Sequence, residues 1–355
     1  ATHSTSPFVG NRHNTGIFTS GSKLFDHYGK QLCAREIDAD VIWLDRTRTY
    51  YIDPTGDLRY LQAERDLDSP QSGLQGIKGA AVSMKAKLPV NYYASTSGSL
   101  MASQDIPFET QHNWTIDIPR VYQSWEETPV TGTGIHTAPI LNGGKHVSAT
   151  AGNLFLQVEH GSEGKLVAGE LLDGEVRAAM AADRFGTLVM GTDAGSVYAI
   201  NNGDIQWKNT WNAPVSSGIA IGYGGITYAG DDQGVLRAIG SDGATLWWND
   251  YGDAITGTPL LGASGNVYFF AGSDLVAVDN LGYEVWRAEV NPVPSTSPRM
   301  DENGLLYLTS ATSGLTAIFT GEPSVARSDW PMEAHDGGAS GNLNGGLINN
   351  DHAPY

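Results

Sequence analysis

The chain has 355 residues, 39 of them acidic and 21 basic, for a formal net charge of −18. Such a surface repels phosphate backbones and anionic lipid headgroups, so nucleic acid is not an expected partner. A single cysteine, Cys33, excludes an intrachain disulfide, CxxCH haem attachment and Cys-based zinc sites, and no apolar run approaches the ~18–20 residues needed for a membrane span.

Taken in order, the chain repeats one pattern: an inner strand near a Ser/Thr-Pro step, a second strand, a small-residue turn, a third strand, a Gly turn and an outer strand. The first copy runs from TSPFV (5–9) through IFTSGSKLF (17–25) to YGKQLC (28–33). The second is weaker, with VIWL (41–44) and a hairpin RTYYIDPTGDLRYLQ (48–62), followed by a polar loop. AKLPVNYYASTSGSLMA (86–102) and HNWTIDI (112–118) form the third. A linker, RVYQSWEETPVTGTG (120–134), leads to the fourth: HTAPIL (136–141), KHVSATAGNLFLQ (145–157) and GKLVAGELL (164–172). The next three are the fullest, GTLVMGTDAGSVYAINNGDIQW (186–207), GGITYAGDDQGVLRAIGSDGATLW (224–247) and GNVYFFAGSDLVAVDNLGYEVW (265–286), with inner strands near 176–181, 216–222 and 256–262. The eighth is STSPRM (295–300), LLYLTSATSGLTAIF (305–319) and ARSDWPM (326–332). The remaining 333–355 is Gly/Asn-rich and aperiodic.

A period near 40 residues built only of strands and turns predicts a β-propeller. Apolar residues alternate or run in fours and fives between glycines, with no 3.6 periodicity. The expected fold is therefore all-β: one propeller of four-stranded antiparallel blades at roughly 5–36, 40–68, 80–118, 134–172, 175–210, 214–250, 254–290 and 293–332. Eight blades are expected, or seven if the copy around 41–76 is a decorated insertion. The segment 333–355 is expected to pack on or near the ring closure.

A tryptophan follows the last Gly of the full copies by four residues, in the pairs Gly203/Trp207, Gly243/Trp247 and Gly282/Trp286. A ring of that size on an outer strand fits between one blade and the next, burying ~150–250 Å². Trp114 and Trp330 are assigned the same docking role, and so is Cys33, which stands four residues after Gly29 where Trp is expected.

The Ser/Thr-Pro inner strand, the core exemplified by GTDAGSVYAINNGDIQW (191–207) and the Gly-x-x-x-Trp close resemble the repeat of pyrroloquinoline-quinone-type, quinoprotein-like β-propellers. WPMEAHDGG (330–338) resembles a segment that flanks such propellers. The resemblance covers almost the whole chain and is strongest over 136–332. It implies the fold, but fold alone does not carry function. The family's quinone dehydrogenases hold their cofactor with a vicinal disulfide, which one cysteine cannot make, so no cofactor is expected. The resemblance points instead to the small non-enzymatic members, including the propeller lipoprotein of outer-membrane β-barrel assembly. From it comes the expectation of an exported chain, periplasmic or at the cell surface. The polar start ATHSTSPF, lacking Met, is the form left by signal peptidase or by a cloning boundary.

Two classes of function remain. The first is a non-enzymatic binding or scaffold propeller that recognises a protein partner or a glycan through inter-blade loops. Trp125, Trp211 and Trp248, which fall outside the docking position, are its candidate platforms. The second is an extracellular polysaccharide lyase or hydrolase. His136, just before the fourth inner strand, and His146 and His112 are its candidate bases, to be joined at the propeller axis by a Tyr and an Arg. No motif places a metal: the Asp/Gly turns at 193–195 and 301–304 read as backbone caps, with no EF-hand spacing.

Overall fold

The computed structural model describes residues 135–142, 146–160, 164–291, 294, 296–310, 314–333 and 335, and on the N-terminal side the strands between Val9 and Asp117. Among these residues the strands pair into eight antiparallel sheets, each in simple chain order. Six have four strands. The sheets that start at Val9 and Arg299 have three among the described residues. Among the described residues there is no α-helix, only a 3₁₀ turn at Tyr223–Gly225. Inner strands of successive sheets stand side by side from Asp40–Leu44 to Ile255–Leu261, as radially arranged blades require.

Each inner strand runs from what we call the near face of the ring to its far face. The far face thus holds the turns between strands one and two and between strands three and four. The near face holds the turns between strands two and three and the connections from each outer strand to the next sheet. Small residues stand where inner strands converge, among them Ala179, Gly218 and Gly257. A Cβ at Gly218 would lie 2.0 Å from Thr258 Oγ1, so no larger residue fits there.

The outer strands repeat one irregularity. A bulge follows Ala199, Ala238 and Ala277 and leaves each opposite a tryptophan, Trp207, Trp247 and Trp286. Ala102 stands opposite Trp114 in the same way. The bulge re-aims the tryptophan toward the neighbouring sheet. Trp207 Nε1 donates to Ser241 O at 3.1 Å, and Trp247 Nε1 to Asn280 O at 3.0 Å. Both acceptors lie in the far-face turn of the next sheet. Two residues on, Asn209 Nδ2 donates to Gly243 O at 2.9 Å and Asn249 Nδ2 to Gly282 O at 2.6 Å. The turn glycines are required twice over. Gly243 and Gly282 have φ of 84° and 89°, and a Cβ on either would stand within 2.7–2.9 Å of the preceding sheet's indole.

Sheet four departs from this pattern. Ala168 is paired with Gln157 at the same bulge, four residues after Gly164, and occupies the tryptophan's place. The next sheet closes over it, and a Cβ at Gly203 would reach Ala168 Cβ at 2.5 Å. Cys33 lies outside the described residues. Trp114 has a described backbone only.

Trp330 corrects the sequence expectation. It is not on an outer strand. After Phe319 the chain leaves its sheet and crosses the far face as a strap. Val325 bridges Gly262 and Trp330 bridges Ile221, both antiparallel. Backbone bonds run from Ala326 N to Leu261 O (2.8 Å), Leu261 N to Pro331 O (2.9 Å) and Ile221 N to Trp330 O (2.8 Å). The buried Glu322 carboxylate anchors its start, accepting from Ser264 N, Asn266 Nδ2 and Tyr268 Oη at 2.8, 2.8 and 3.0 Å. Asp329 is tied to Arg184 Nε at 2.6 Å. Trp330 is completely buried in a cluster with Ile140, Met180, Ala181 and Ile221.

Candidate functional site

Inner strands of the last five sheets line an axial cavity of about 300 Å³. Its walls carry small residues and the hydroxyl residues Thr137, Ser216, Thr258 and Ser297, and Trp330 and Glu333 from the strap also line it. Some of the hydroxyl groups already serve the ring. Ser216 Oγ donates to Ile255 O at 2.8 Å, and Ser297 Oγ accepts from Thr258 N at 2.8 Å.

His136 is exposed on this cavity's rim. Its Nε2 lies 3.8 Å from Glu175 Oε2. The same Glu175 oxygen is 2.8 Å from Arg177 Nη2, and Arg177 Nε is 2.9 Å from Asp193 Oδ2. The hydrogen bond that Arg177 donates to Asp193, then the Glu175 charge, raises the Arg177 pKa, so the guanidinium stays charged and doubly paired. With two carboxylates against one guanidinium and a histidine, the rim is not a cationic clamp for an acidic sugar. Among the described residues lining the cavity there is no tyrosine.

The other sequence candidates do not converge on this rim. His146 opens the second strand of its sheet, opposite Asn142 and Glu159, at the far face. His112 stands opposite Ser103 on an outer strand, and only its backbone is described. Trp211 was expected to be an exposed platform. It is buried instead, 6% exposed, with the Arg237 guanidinium 4.2 Å from its ring centroid. Arg237 is held there by Asp231 Oδ2 at 2.5 Å. Trp248 does project from its outer strand, 61% exposed. Trp125 lies outside the described residues.

Sequence reasoning missed the Glu175–Arg177–Asp193 group. The fifth copy carries it as EVR at the start of its inner strand and DAG in the following turn, a juxtaposition only the fold reveals. It also missed a near-face network in which Asp173 accepts from Lys208 Nζ (2.7 Å), Ser196 Oγ (2.6 Å) and Thr192 Oγ1 (3.0 Å). Partial burial pushes the Asp173 pKa up, but these bonds, that of Lys208 foremost, hold it below the usual carboxylate value. Among the described residues no group of three or more His, Cys, Asp or Glu side chains is placed to hold a metal ion, and no helix is long and apolar enough to cross a membrane.

Comparison with known proteins adds to this geometry. Residues 193–322 match the family model of outer membrane protein assembly factor BamB. That stretch takes in the second half of the fifth copy, all of the sixth and seventh and most of the eighth, so the resemblance read from the repeat holds. Solved structures share the fold across most of the chain at low identity. BamB from Moraxella catarrhalis has a TM-score of 0.66 at 13% identity, covering 88% of this chain and 95% of that one. Sqt1 from Saccharomyces cerevisiae has a TM-score of 0.68 at 10% identity, covering 89% and 96%. The computationally designed Ika8 protein gives 0.63 at 14% identity, covering 91% and 96%. No curated protein matches the chain.

Proposed function

We propose that the chain is a non-enzymatic scaffold propeller of eight blades, exported to the bacterial cell envelope or exterior, that recognises a protein partner through its inter-blade loops. The match of residues 193–322 to the assembly-factor model carries this reading. The near-face geometry supports it, because Arg177 is committed to two carboxylates and, among the described residues, no tyrosine lines the cavity beside His136. General acid–base catalysis on an acidic sugar needs a free cation near the substrate carboxylate and a positioned proton-transfer pair. Exposed Trp248 favours a binding surface on the outer wall as well, where an indole face suits either a protein side chain or a sugar ring.

The test is a paired measurement on the full chain and its His136→Ala variant. Both are screened for turnover of acidic polysaccharides by product absorbance, and both for co-purification with envelope assembly proteins. The expected result is no turnover by either protein and equal co-purification by both. Turnover by the unaltered chain that is lost on His136→Ala would overturn the scaffold reading in favour of a lyase or hydrolase.

A further inference from the structure

The exposed large apolar side chains are distributed unequally between the two ends of the ring. In the last four sheets, Phe185, Tyr223, Leu281, Tyr283 and Phe319 all sit at far-face turns or strand ends. Phe185 is 80% exposed, Tyr283 71% and Phe319 78%. At the near face of the same sheets no large apolar side chain is exposed among the described residues, and of the aromatics on the connections there Trp211 is buried and Tyr251 half-buried. The other exposed apolar side chains, such as Val167 and Trp248, lie along the outer strands. Solvated turns do not call for aromatic residues. Four adjacent sheets that each place one at the same end make a surface of the kind that marks an interaction site.

The surface is also rigid. Asp183, Asp279 and Asp301 each accept two backbone N–H groups within the turns that carry Phe185, Leu281 with Tyr283, and Asn303. The strap fixes Tyr223, whose hydroxyl accepts from Arg327 N at 3.1 Å. Such a platform loses little conformational freedom when a partner docks.

Charge selects the partner. Exposed carboxylates Asp204, Asp242 and Glu302 stand at the turns of this face, against two cations, Arg184, which is engaged by Asp329, and Arg327, which is exposed on the strap. An acidic, aromatic face on a chain of net charge −18 disfavours a second copy of itself and anionic lipid, since like charges would meet. We propose that the far face is a second docking surface, for a basic amphipathic segment of a partner protein that lays apolar side chains on the aromatics and Lys or Arg on the carboxylates. This extends the scaffold reading to the end of the ring opposite the inter-blade loops, and the two surfaces fail or succeed separately.

The probe is an 18-residue Leu/Lys amphipathic peptide, with its Leu/Glu counterpart as control, titrated against the full chain by calorimetry. The Lys peptide is expected to bind. The triple variant Phe185→Ser, Tyr283→Ser, Phe319→Ser is expected to bind it at least tenfold more weakly, and Asp204→Asn with Glu302→Gln to weaken it and flatten its salt dependence. The near-face variant Gln233→Ala is expected to bind as the unaltered chain does, and unchanged thermal midpoints confirm that the variants fold. The proposal is overturned if the triple variant binds within twofold of the unaltered chain, or if the Glu peptide binds equally well. It is also overturned if the aromatics mediate self-association in sedimentation, or capture of phosphatidylglycerol vesicles, instead of peptide binding. Loss of peptide binding leaves the inter-blade loops untouched, so a partner that still cross-links at the near face preserves the scaffold reading alone.

Discussion

Trp247 and Asn249 act on the same turn of the next sheet, the indole N–H on Asn280 O and the amide on Gly282 O. Removing the ring leaves a cavity against Gly282 and an unmet carbonyl, so Trp247→Ala should cost about 3–5 kcal/mol. Asn249→Ala should cost about 1–2 kcal/mol, the range for orphaning a largely buried acceptor. Because the two share a turn, the double variant should lose less than the sum, which urea denaturation of the four proteins checks. Trp330 gives the contrasting case: its Nε1 is buried with no hydrogen-bond partner among the described residues. Trp330→Phe therefore forfeits packing but no hydrogen bond, and should cost less than Trp247→Phe.

Tyr268 makes a pH prediction. Burial foremost, and then the Glu322 charge beside its hydroxyl, push its pKa up to about 12. A phenol whose folded pKa lies above its unfolded value of ~10 favours the protonated fold. Its contribution is whole below pH ~10 and is lost as pH rises toward about 12, at no more than ~1.4 kcal/mol per pH unit. Tyr307, raised by burial and by Asp301, adds in the same direction. Tyr268→Phe should flatten alkaline unfolding relative to the unaltered chain. Equal alkaline midpoints would contradict this.

At the scale of elements, the outer strands and the strap differ in how far the sequence announces them. Gly-x-x-x-Trp was legible because every part of it repeats. Asn two residues after Trp occurs in two copies only, Trp207-x-Asn209 and Trp247-x-Asn249, and two occurrences do not stand out without the turns they bind. ARSDWPM carries the alternation of an outer strand and a docking-like Trp, yet it forms the strap. The physical reason lies in its partners. Gly262 and Gly304 leave room for Glu322, whose atoms would clash with a Cβ at either position, and those glycines stand 60 and 18 residues away in sequence. Non-local fit of that kind is invisible to periodicity. The strap joins the far ends of the last four sheets, so Trp330→Ala should cost about 3–5 kcal/mol. A chain ending at Gly321 should lose at least as much in chemical denaturation. A loss under about 0.5 kcal/mol would show that the strap is not part of the stabilising core.

For the molecule as a whole, the period of strands and turns carried the architecture, all-β and built of antiparallel sheets in chain order. The site was far less legible. His136 was picked out from its place before an inner strand, and it does face the axial cavity. Glu175, Arg177 and Asp193 meet there only because a turn and an inner strand of one sheet converge, and that convergence turns the rim from a catalytic candidate into a paired charge group. Trp211 was misread because the Asn and Pro around it suggest a loop, while Arg237, held by Asp231 on the neighbouring sheet, covers its ring.

The scaffold account rests on the inter-blade loops, and site-specific photo-crosslinking of the full chain in a bacterial envelope tests it most directly. A photoreactive residue at exposed Asn212 or Asp253, both on near-face connections between sheets, is predicted to trap a defined protein partner. One on the outer strand at Thr210 should not. Absence of any protein adduct at both loop positions, together with polysaccharide cleavage that depends on His136, would contradict it.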